Sequence, residues 1–412
     1  MLRALAAGFA LVFASPVWGS DAPVWRAVDE STGQIRDVEG LEQLARDFPD
    51  SGSVRLRMLQ PLLAEGEGEK VLETLEWLYD RGYVFSDVAQ EQIPRLLEGV
   101  DPGRIAERLL AEAEVIEASE VLATVPAEAG LVEDVVPLAR DGSVGVTSVS
   151  KKAIYGPGPG GNWIALNLPM ANDLSGFATD ANRATGWVAS ANVDGSKDKQ
   201  ELFVGLIGLT GNLDDTLYIK APEGVTVSDL HLAADGALFT SDPLGGGVYF
   251  ATFEDEALQT LVPPGTFRSP QGLATSADNT KLYVSDYRYG IAIIDLESRE
   301  VSRLASDIPV ILDGVDGLWR YGNELIAVQN GTSPMRISAF KLSVDGMRVV
   351  GHRILEQAHS EWTEPLSGSI DGDALIYVGN GQWDRYIEGE LKEGMEALPT
   401  QIRRLPLASP AQ

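Results

Sequence analysis

The chain has 412 residues, with 61 acidic against 32 basic side chains, a formal net charge of −29, three histidines and no cysteine. This charge repels phosphate backbones, so we expect no nucleic-acid partner. The lack of cysteine excludes thiolate catalysis, disulfides, iron–sulfur clusters and cysteine-bound zinc. Carboxylates, amides and hydroxyls remain for chemistry, and these are the ligands that hard cations such as calcium prefer.

The first 19 residues have the pattern of a secretory signal peptide. Arg3 precedes an apolar run over residues 4–14, Ser15 and Pro16 interrupt it, and small residues follow near a cleavage position. The apolar run is about 11 residues long, shorter than the roughly 20 that a membrane span requires. No later stretch is long and apolar enough to span a membrane. We therefore expect an exported protein, periplasmic or secreted.

Residues 20–126 are predicted to be helical. Apolar residues recur at helical spacing over 41–48, 56–63 and 71–78, and Pro49, Gly66 and Gly82 lie at or near the ends of these runs. Asp101 and Pro102 suit an N-cap and a first helical position, which predicts a further helix over residues 104–122. Short helices with tight turns resemble tetratricopeptide-type hairpins, which would extend a surface for a protein partner; the alternative is a stabilising cap on a larger domain.

From residue 127 onwards the sequence predicts a mainly β domain. A pattern of a polar or glycine pair, an apolar pair, a turn and a strand recurs six times. Its first residues are Glu133, Ser175, Ser228, Gln271, Asp316 and Ser367, so successive repeats begin 42 to 53 residues apart. This spacing accommodates four strands per repeat. It predicts a six-bladed β-propeller over residues 127–412, preceded by the helical segment.

The first residues of the six repeats are expected to form a ring around the central channel. Two carboxylates, one amide and three hydroxyls in such a ring are suited to a hard cation. The alternative is that these polar side chains only cap the inner strands and bind channel water. His231, inside an apolar inner strand, is interpreted as a core residue.

The blade over residues 269–295 and the stretch over residues 313–319 resemble the SMP-30/gluconolactonase-like propellers. This resemblance covers residues 127–412 and implies one divalent metal, calcium or zinc, in the channel and hydrolysis of lactones. The family's ligands are a Glu on the first blade, two Asn on middle blades and an Asp that also serves as base. By position, the resemblance implies Glu133 and Asp316 as metal ligands, with Asp316 as the catalytic base.

The two asparagine positions of the family fall on Ser228 and Gln271 in this chain. Gln271 still offers a carbonyl oxygen with a longer reach, whereas Ser228 is a poor metal ligand, and Asp229 would replace it if the strand were shifted by one residue. These departures leave two hypotheses. One is a metal-dependent hydrolase of lactones or related esters, and the other is a non-enzymatic propeller that binds a small ligand or a protein.

Further candidate ligand-binding residues follow the second strand of each blade, where loops reach one face. They combine aromatic, amide and carboxylate side chains, as sites for polar small molecules do. The candidates are Asp286, Tyr287, Tyr289, Asn330 and Trp383, together with Asp229. Ordinary turn chemistry is the alternative for these positions, since Ser-Asp and Asn-Gly pairs are common in turns.

Overall fold

The structure is a computed structural model that describes residues 23–97, 103, 105, 107–138, 142–168, 170–180, 185–193, 202–210 and 215–408. The predicted signal peptide and the Asp101–Pro102 pair lie outside these residues.

The amino-terminal segment is helical, as the apolar spacing predicts. Its α-helices are α1 (Glu30–Gly33), α2 (Val38–Asp47), α3 (Gly52–Glu65), α4 (Gly68–Tyr79) and α5 (Asp87–Leu96). Side chains of Asp37, Ser51 and Ser86 accept hydrogen bonds from the first turns of α2, α3 and α5, and Gly66 ends α3 in the left-handed conformation. Within the described ranges, no helix is both long and apolar enough to cross a membrane.

The rest of the described chain forms a six-bladed β-propeller of antiparallel sheets, which confirms the predicted fold class. Blade 1 consists of Val132–Pro137, Val144–Ser148, Ala153–Pro157 and Trp163–Asn167. Blade 2 consists of Asp173–Asp180, Thr185–Ala191, Gly205–Leu209 and Leu217–Lys220. Blade 3 consists of Leu230–Leu232, Leu238–Asp242, Gly247–Ala251 and Gln259–Val262.

The second half of the ring follows the same order, with the first strand of each blade innermost. Blade 4 consists of Pro270–Thr275, Lys281–Asp286, Gly290–Asp295 and Val301–Arg303. Blade 5 consists of Leu318–Tyr321, Glu324–Gln329, Arg336–Leu342 and Arg348–Gln357, with Ala305–Ser306 added in parallel at its edge. Blade 6 consists of Gly368–Asp371, Ala374–Val378, Thr400–Pro406 and, outermost, Glu120–Val125.

The outermost strand of blade 6 comes from the residues just before blade 1 and closes the ring. Glu120–Val125, the closing strand, pairs antiparallel with Thr400–Pro406. The predicted helix over residues 104–122 is therefore wrong where the structure describes it: Arg108–Leu110 is a short 3-10 turn, and Ile116 already pairs with Gln357. Pairing partners more than 200 residues away override the local helical spacing here.

Close backbone contacts between the inner strands of neighbouring blades explain the glycine in the repeated pattern. The amide N–H of Gly176 donates to the carbonyl of Ser228 at 2.9 Å, and that of Gly272 donates to the carbonyl of Asp316 at 2.8 Å. A Cβ at Gly272 would lie 2.4 Å from the backbone nitrogen of Leu318, so a side chain does not fit. Gly176 and Gly272 therefore allow the inner strands of blades 2 and 4 to contact the inner strand of the next blade.

The helical segment packs on the propeller and shares its core. Leu44, Phe48 and Leu62 of the helices belong to one buried cluster with Val284 and Tyr289 of blade 4. Trp25 donates from its indole Nε1 to the carbonyl of Thr266 at 3.0 Å. Further hydrogen bonds join α3 and the loop before it to blades 4 and 5. The described contacts are those of a docked cap, and the resemblance to tetratricopeptide hairpins stays a prediction.

Candidate functional site

The inner strands of neighbouring blades contact one another around the whole ring, so their first residues surround one channel. Glu133, Gln271 and Asp316 are half-buried there. Tyr287, Asn330, Glu364 and Trp383 lie on the loops that border the same end of the channel. We call this end the upper mouth.

The uncharged ring positions Ser175, Ser228 and Gln271 are engaged in contacts within the protein. The Ser175 hydroxyl donates to the carbonyl of Ser228 at 3.0 Å, which ties blade 2 to blade 3. The amide of Gln271 donates to the Ser269 hydroxyl at 3.2 Å, which leaves its carbonyl oxygen for other partners. The contacts of Ser228 are backbone contacts, so the structure gives this residue a role in joining strands.

Glu133 and Asp316 are the two carboxylates of the ring, and the structure brings them close enough to influence each other's titration. Oε2 of Glu133 accepts a hydrogen bond from the indole Nε1 of Trp383 at 2.6 Å. Oδ2 of Asp316 is buried and has no hydrogen-bond partner. Burying an ionised carboxylate oxygen without a partner raises the free energy of the folded state, and a bound proton or cation would lower it.

The pKa of each of these two carboxyls is raised well above its usual range. For Glu133 the causes are burial and then the charge of Asp316, and the bond from Trp383 offsets them in part. For Asp316 the causes are burial and then the charges of Asp229 and Glu364, and the Asn330 side chain offsets them in part. The two groups repel each other when both are ionised.

Asn330 and Tyr287 form a hydrogen-bonded pair beside Asp316. The Tyr287 hydroxyl donates to Oδ1 of Asn330 at 2.9 Å, and Nδ2 of Asn330 donates to the carbonyl of Pro365 at 3.1 Å. Burial and the charge of Asp316 raise the pKa of Tyr287 above its usual range. Both residues were predicted from the loop pattern, and the structure places both at the upper mouth.

The other loop candidates have contacts that hold loops and helices in place. The carboxylate of Asp286 accepts from the amide N–H groups of Arg268 at 2.7 Å and Arg288 at 3.0 Å. Tyr289 is buried against Phe48 of the helical segment, and its hydroxyl accepts from Arg57 at 3.2 Å. These contacts agree with the alternative reading of ordinary turn chemistry for Asp286 and place Tyr289 in the helix–propeller contact.

Three further carboxylates lie in the channel region. The sequence patterns give no role to Asp134 and Glu364, and they offer Asp229 only as a candidate ligand. Asp134 accepts from the amide N–H groups of Val135 and Phe177, both at 2.7 Å, and thereby joins blade 1 to blade 2. Burial raises the pKa of Asp134 to about 8, and burial together with the charge of Asp134 raises the pKa of Asp229 to about 8. Glu364 is half-buried in the loop before blade 6, and burial and Asp384 raise its pKa.

Among the described residues, none of the channel carboxylates Glu133, Asp229, Asp316 and Glu364 forms an ion pair with Lys, Arg or His. Nor do any three His, Asp or Glu side chains in the described ranges group closely enough to hold a metal ion. The resembling family binds its metal with only two carboxylates, the other ligands being asparagines. The absence of a group of three acidic or histidine side chains therefore does not exclude a metal site of that family's type. Glu133 and Asp316, with the free carbonyl oxygen of Gln271, fit a hard cation in chemistry, whereas Ser228 does not.

Comparisons with known proteins give structural similarities at low sequence identity. No protein-family model matches the sequence, and no curated protein matches it. A gluconolactonase from Xanthomonas campestris is similar in structure, with a TM-score of 0.47, 15% identity, and coverage of 70% of this chain and 95% of that chain. A streptogramin B lyase gives a TM-score of 0.46 and 16% identity over 67% of this chain and 79% of that chain.

An aldose sugar dehydrogenase from Streptomyces coelicolor is similar to the same extent, with a TM-score of 0.47 and 15% identity over 71% of this chain and 99% of that chain. The names of these three proteins describe different activities. The chemistry of this chain therefore has to be argued from its own residues.

Proposed function

We propose that this protein is an exported hydrolase of lactones or related esters that acts at the upper mouth of the channel with one divalent metal ion, calcium or zinc. The observation that carries the proposal is the buried, unpartnered Oδ2 of Asp316 beside the carboxylate of Glu133, with no basic side chain of the described residues paired to either. Glu133 and Asp316, with the carbonyl oxygen of Gln271, would hold the ion.

A bound divalent ion in such a site would polarise the ester carbonyl and make a water molecule more acidic. Asp316 is the proton acceptor of the proposal, the role that the resemblance assigns to the aspartate at this position. Asn330 lies close enough to Asp316 to lower its pKa in part, and Tyr287 fixes the side chain of Asn330 through the 2.9 Å hydrogen bond. Trp383 holds the Glu133 carboxylate in one orientation.

The test combines metal analysis with a panel of lactones and esters assayed with calcium, zinc and manganese. We expect about one divalent ion per wild-type chain and turnover of at least one lactone. Asp316→Asn should lower kcat by about 100-fold or more, the range that removal of a general base produces. Glu254→Gln, at an exposed position of blade 3, is the matched control and should change neither result. Wild-type protein with neither bound metal nor turnover would contradict the proposal.

A second candidate function is ligand binding without catalysis. It is supported by the hydrogen bonds that engage the carbonyl of Ser228 and the amide of Gln271, the two positions where the chain departs from the resembling enzymes. The helical segment would then extend the surface for a small ligand or a protein partner. Metal binding that persists without turnover of any substrate in the panel would favour this function over hydrolysis.

A further inference from the structure

A groove lies between the helices α2, α3 and α4 of the amino-terminal segment. It has a volume of about 370 Å³, and all its described lining residues belong to these three helices. This volume is within the range of small-molecule sites. We call it the helical groove. The lining residues used in the argument are Ala45, Arg55, Met58, Lys70, Glu73 and Trp77. The helical groove shares no described residue with the upper mouth of the channel.

Arg55, on α3, supplies the helical groove with a guanidinium that has no acceptor. Its Nε is buried without a hydrogen-bond partner, and among the described residues its side chain forms no hydrogen bond and no ion pair. The side chain is half-buried, and its Cζ lies 5.0 Å from the centre of the Trp77 ring. Because a guanidinium keeps its charge and carries five N–H donors, Arg55 can bind an acceptor that comes from outside the chain.

The charges close to Arg55 do not supply this acceptor. Arg81 lies over the same Trp77 ring, at 4.0 Å from its centre, and adds a second positive charge. Asp50 is the acid that acts on Arg55, but its carboxylate pairs with Nη1 of Arg303 at 3.2 Å. Burial and then the charge of Arg81 lower the pKa of Arg55, and Asp50 offsets this in part. The environment of Arg55 is thus locally positive in a chain with a net charge of −29.

The other charged side chains of the helical groove are mostly engaged with one another or with amides. Lys70 pairs with Glu42 at 2.9 Å, and Nη2 of Arg46 donates to the amide oxygen of Gln43 at 2.8 Å. Glu73 is exposed, and its charge opposes an anion in the groove. Three cationic side chains against two carboxylates leave the lining with one excess positive charge.

The remaining surface of the helical groove is largely apolar and aromatic. Ala45 and Met58 are buried, and Trp77 is half-buried. Such surface suits the hydrocarbon or aromatic body of a ligand. The planar fork of a guanidinium matches the two oxygens of a carboxylate, which it can bind through two parallel hydrogen bonds.

We propose that the helical groove binds a small organic carboxylate, with the carboxylate group on the guanidinium of Arg55 and the apolar body against Met58 and Trp77. This site is additional to the upper mouth, and the proposal does not depend on hydrolysis there. An organic cation is disfavoured because Arg55 and Arg81 would repel it. An inorganic anion fits less well, because it leaves the apolar wall of the groove without a partner.

The test is an NMR titration of the full-length protein with benzoate at about pH 7.5, where benzoate and arginine are both charged. The protein is first dialysed free of divalent ions, so that benzoate cannot bind a metal at the upper mouth. The indole N–H resonance of Trp77 is assigned by its loss in Trp77→Phe. We expect this resonance to shift saturably with benzoate, and not to shift with benzyl alcohol, a neutral analogue of similar shape.

Three variants resolve the roles of the charges. Arg55→Gln should weaken benzoate binding by about tenfold or more, since it removes the charge and the bidentate donors. Arg95→Gln, at an exposed position of α5 outside the groove, is the matched control and should leave binding unchanged. Glu73→Gln should tighten binding by about twofold, because it removes an opposing charge at an exposed position.

The proposal is wrong if the Trp77 resonance does not shift saturably with benzoate, or if benzyl alcohol shifts it equally. Equal affinity in the wild type and Arg55→Gln, with circular dichroism showing both folded, would also overturn it. Because Glu73 is exposed, Glu73→Gln is expected to fold, and weaker binding to it would contradict the proposal even where Arg55→Gln is not obtained folded. Metal analysis and lactone assays of Arg55→Gln report separately on the upper mouth, and we expect both to match the wild type.

Discussion

Asp313 and Asp316 lie three residues apart in the loop that leads into blade 5, and their carboxylates differ in their hydrogen-bond partners. Asp313 is 1% exposed, and its oxygens accept from the amide N–H groups of Gly52 and Ser53, both at 2.8 Å, at the start of α3. Asp316 has a buried oxygen with no partner. The first carboxylate attaches the helical segment to the ring, and the second is left for a proton or a ligand.

This contrast teaches that a raised pKa does not by itself identify a functional carboxylate. Burial raises the pKa of Asp313 as it does that of Asp316. What separates the two is the set of partners: helix amides and the positive end of the helix dipole stabilise the ionised form of Asp313. The charges next to Asp316 are other carboxylates, which destabilise its ionised form.

The largest effect is expected from Asp313→Ala. It leaves the buried amide donors of Gly52 and Ser53 without an acceptor and removes a favourable charge from the start of α3, so the free energy of unfolding should fall by about 3 kcal/mol. Urea denaturation followed by circular dichroism measures this. Asp47→Ala, which breaks the more exposed pair with Arg26, should cost less than about 1 kcal/mol. Equal losses would show that Asp313 does not anchor the helices.

The channel carboxyls should make the protein less stable as the pH rises. The folded state holds protons on Asp134 and Asp229 up to about pH 8, whereas the unfolded chain releases them near pH 4. The folded state therefore binds more protons across this window, and the free energy of unfolding falls as the pH increases, by about 2 kcal/mol or more between about pH 6 and pH 8.5.

Denaturation midpoints at a series of pH values measure this slope. Asp229→Asn should flatten it, because the variant has no proton to release at that position. A free energy of unfolding that increases over the same pH range in the wild type would contradict the assignment of raised pKa values to the channel carboxyls.

Asp316→Asn is expected to leave stability unchanged or raise it by about 1 kcal/mol, because the folded state must otherwise protonate the Asp316 carboxyl or keep its charge next to other carboxylates. Its effect is thus opposite in sign to that of Asp313→Ala. The measurement is the same urea titration, made at about pH 7.5. A loss of about 2 kcal/mol or more would mean that Asp316 is a structural residue like Asp313, and the comparison between the two would fail.

The smallest effect is expected from Tyr287→Phe. Loss of the hydroxyl frees Oδ1 of Asn330, so we expect a several-fold fall in kcat with a change in stability below about 1 kcal/mol. Tyr289→Phe is the matched control, since its hydroxyl contacts Arg57 of the helical segment, and it should leave kcat unchanged. A result in which both variants lose activity equally would assign the loss to the loop as a whole.

The sequence predicts the ring and the positions of Glu133 and Asp316 because the repeated pattern depends on local turns and alternating strands. It gives no role to Asp313, since the amides that hold this carboxylate belong to α3, about 260 residues earlier in the chain. The helix expected over residues 104–122 is wrong for the same reason, because the closing strand obtains its partner from the far end of the chain. No local signal marks Glu364, whose place at the channel follows only from ring closure.

The closing strand also has a consequence for how the molecule assembles. Bringing Glu120 against Arg404 closes a loop of roughly 280 residues, which costs on the order of 5 kcal/mol in chain entropy before any contact forms. Such a long-range pairing is expected late in folding. Until it forms, Thr400–Pro406 presents an open strand edge, a surface prone to pair with other chains. A newly made molecule is thus most vulnerable to aggregation in the interval before the two ends of the propeller pair.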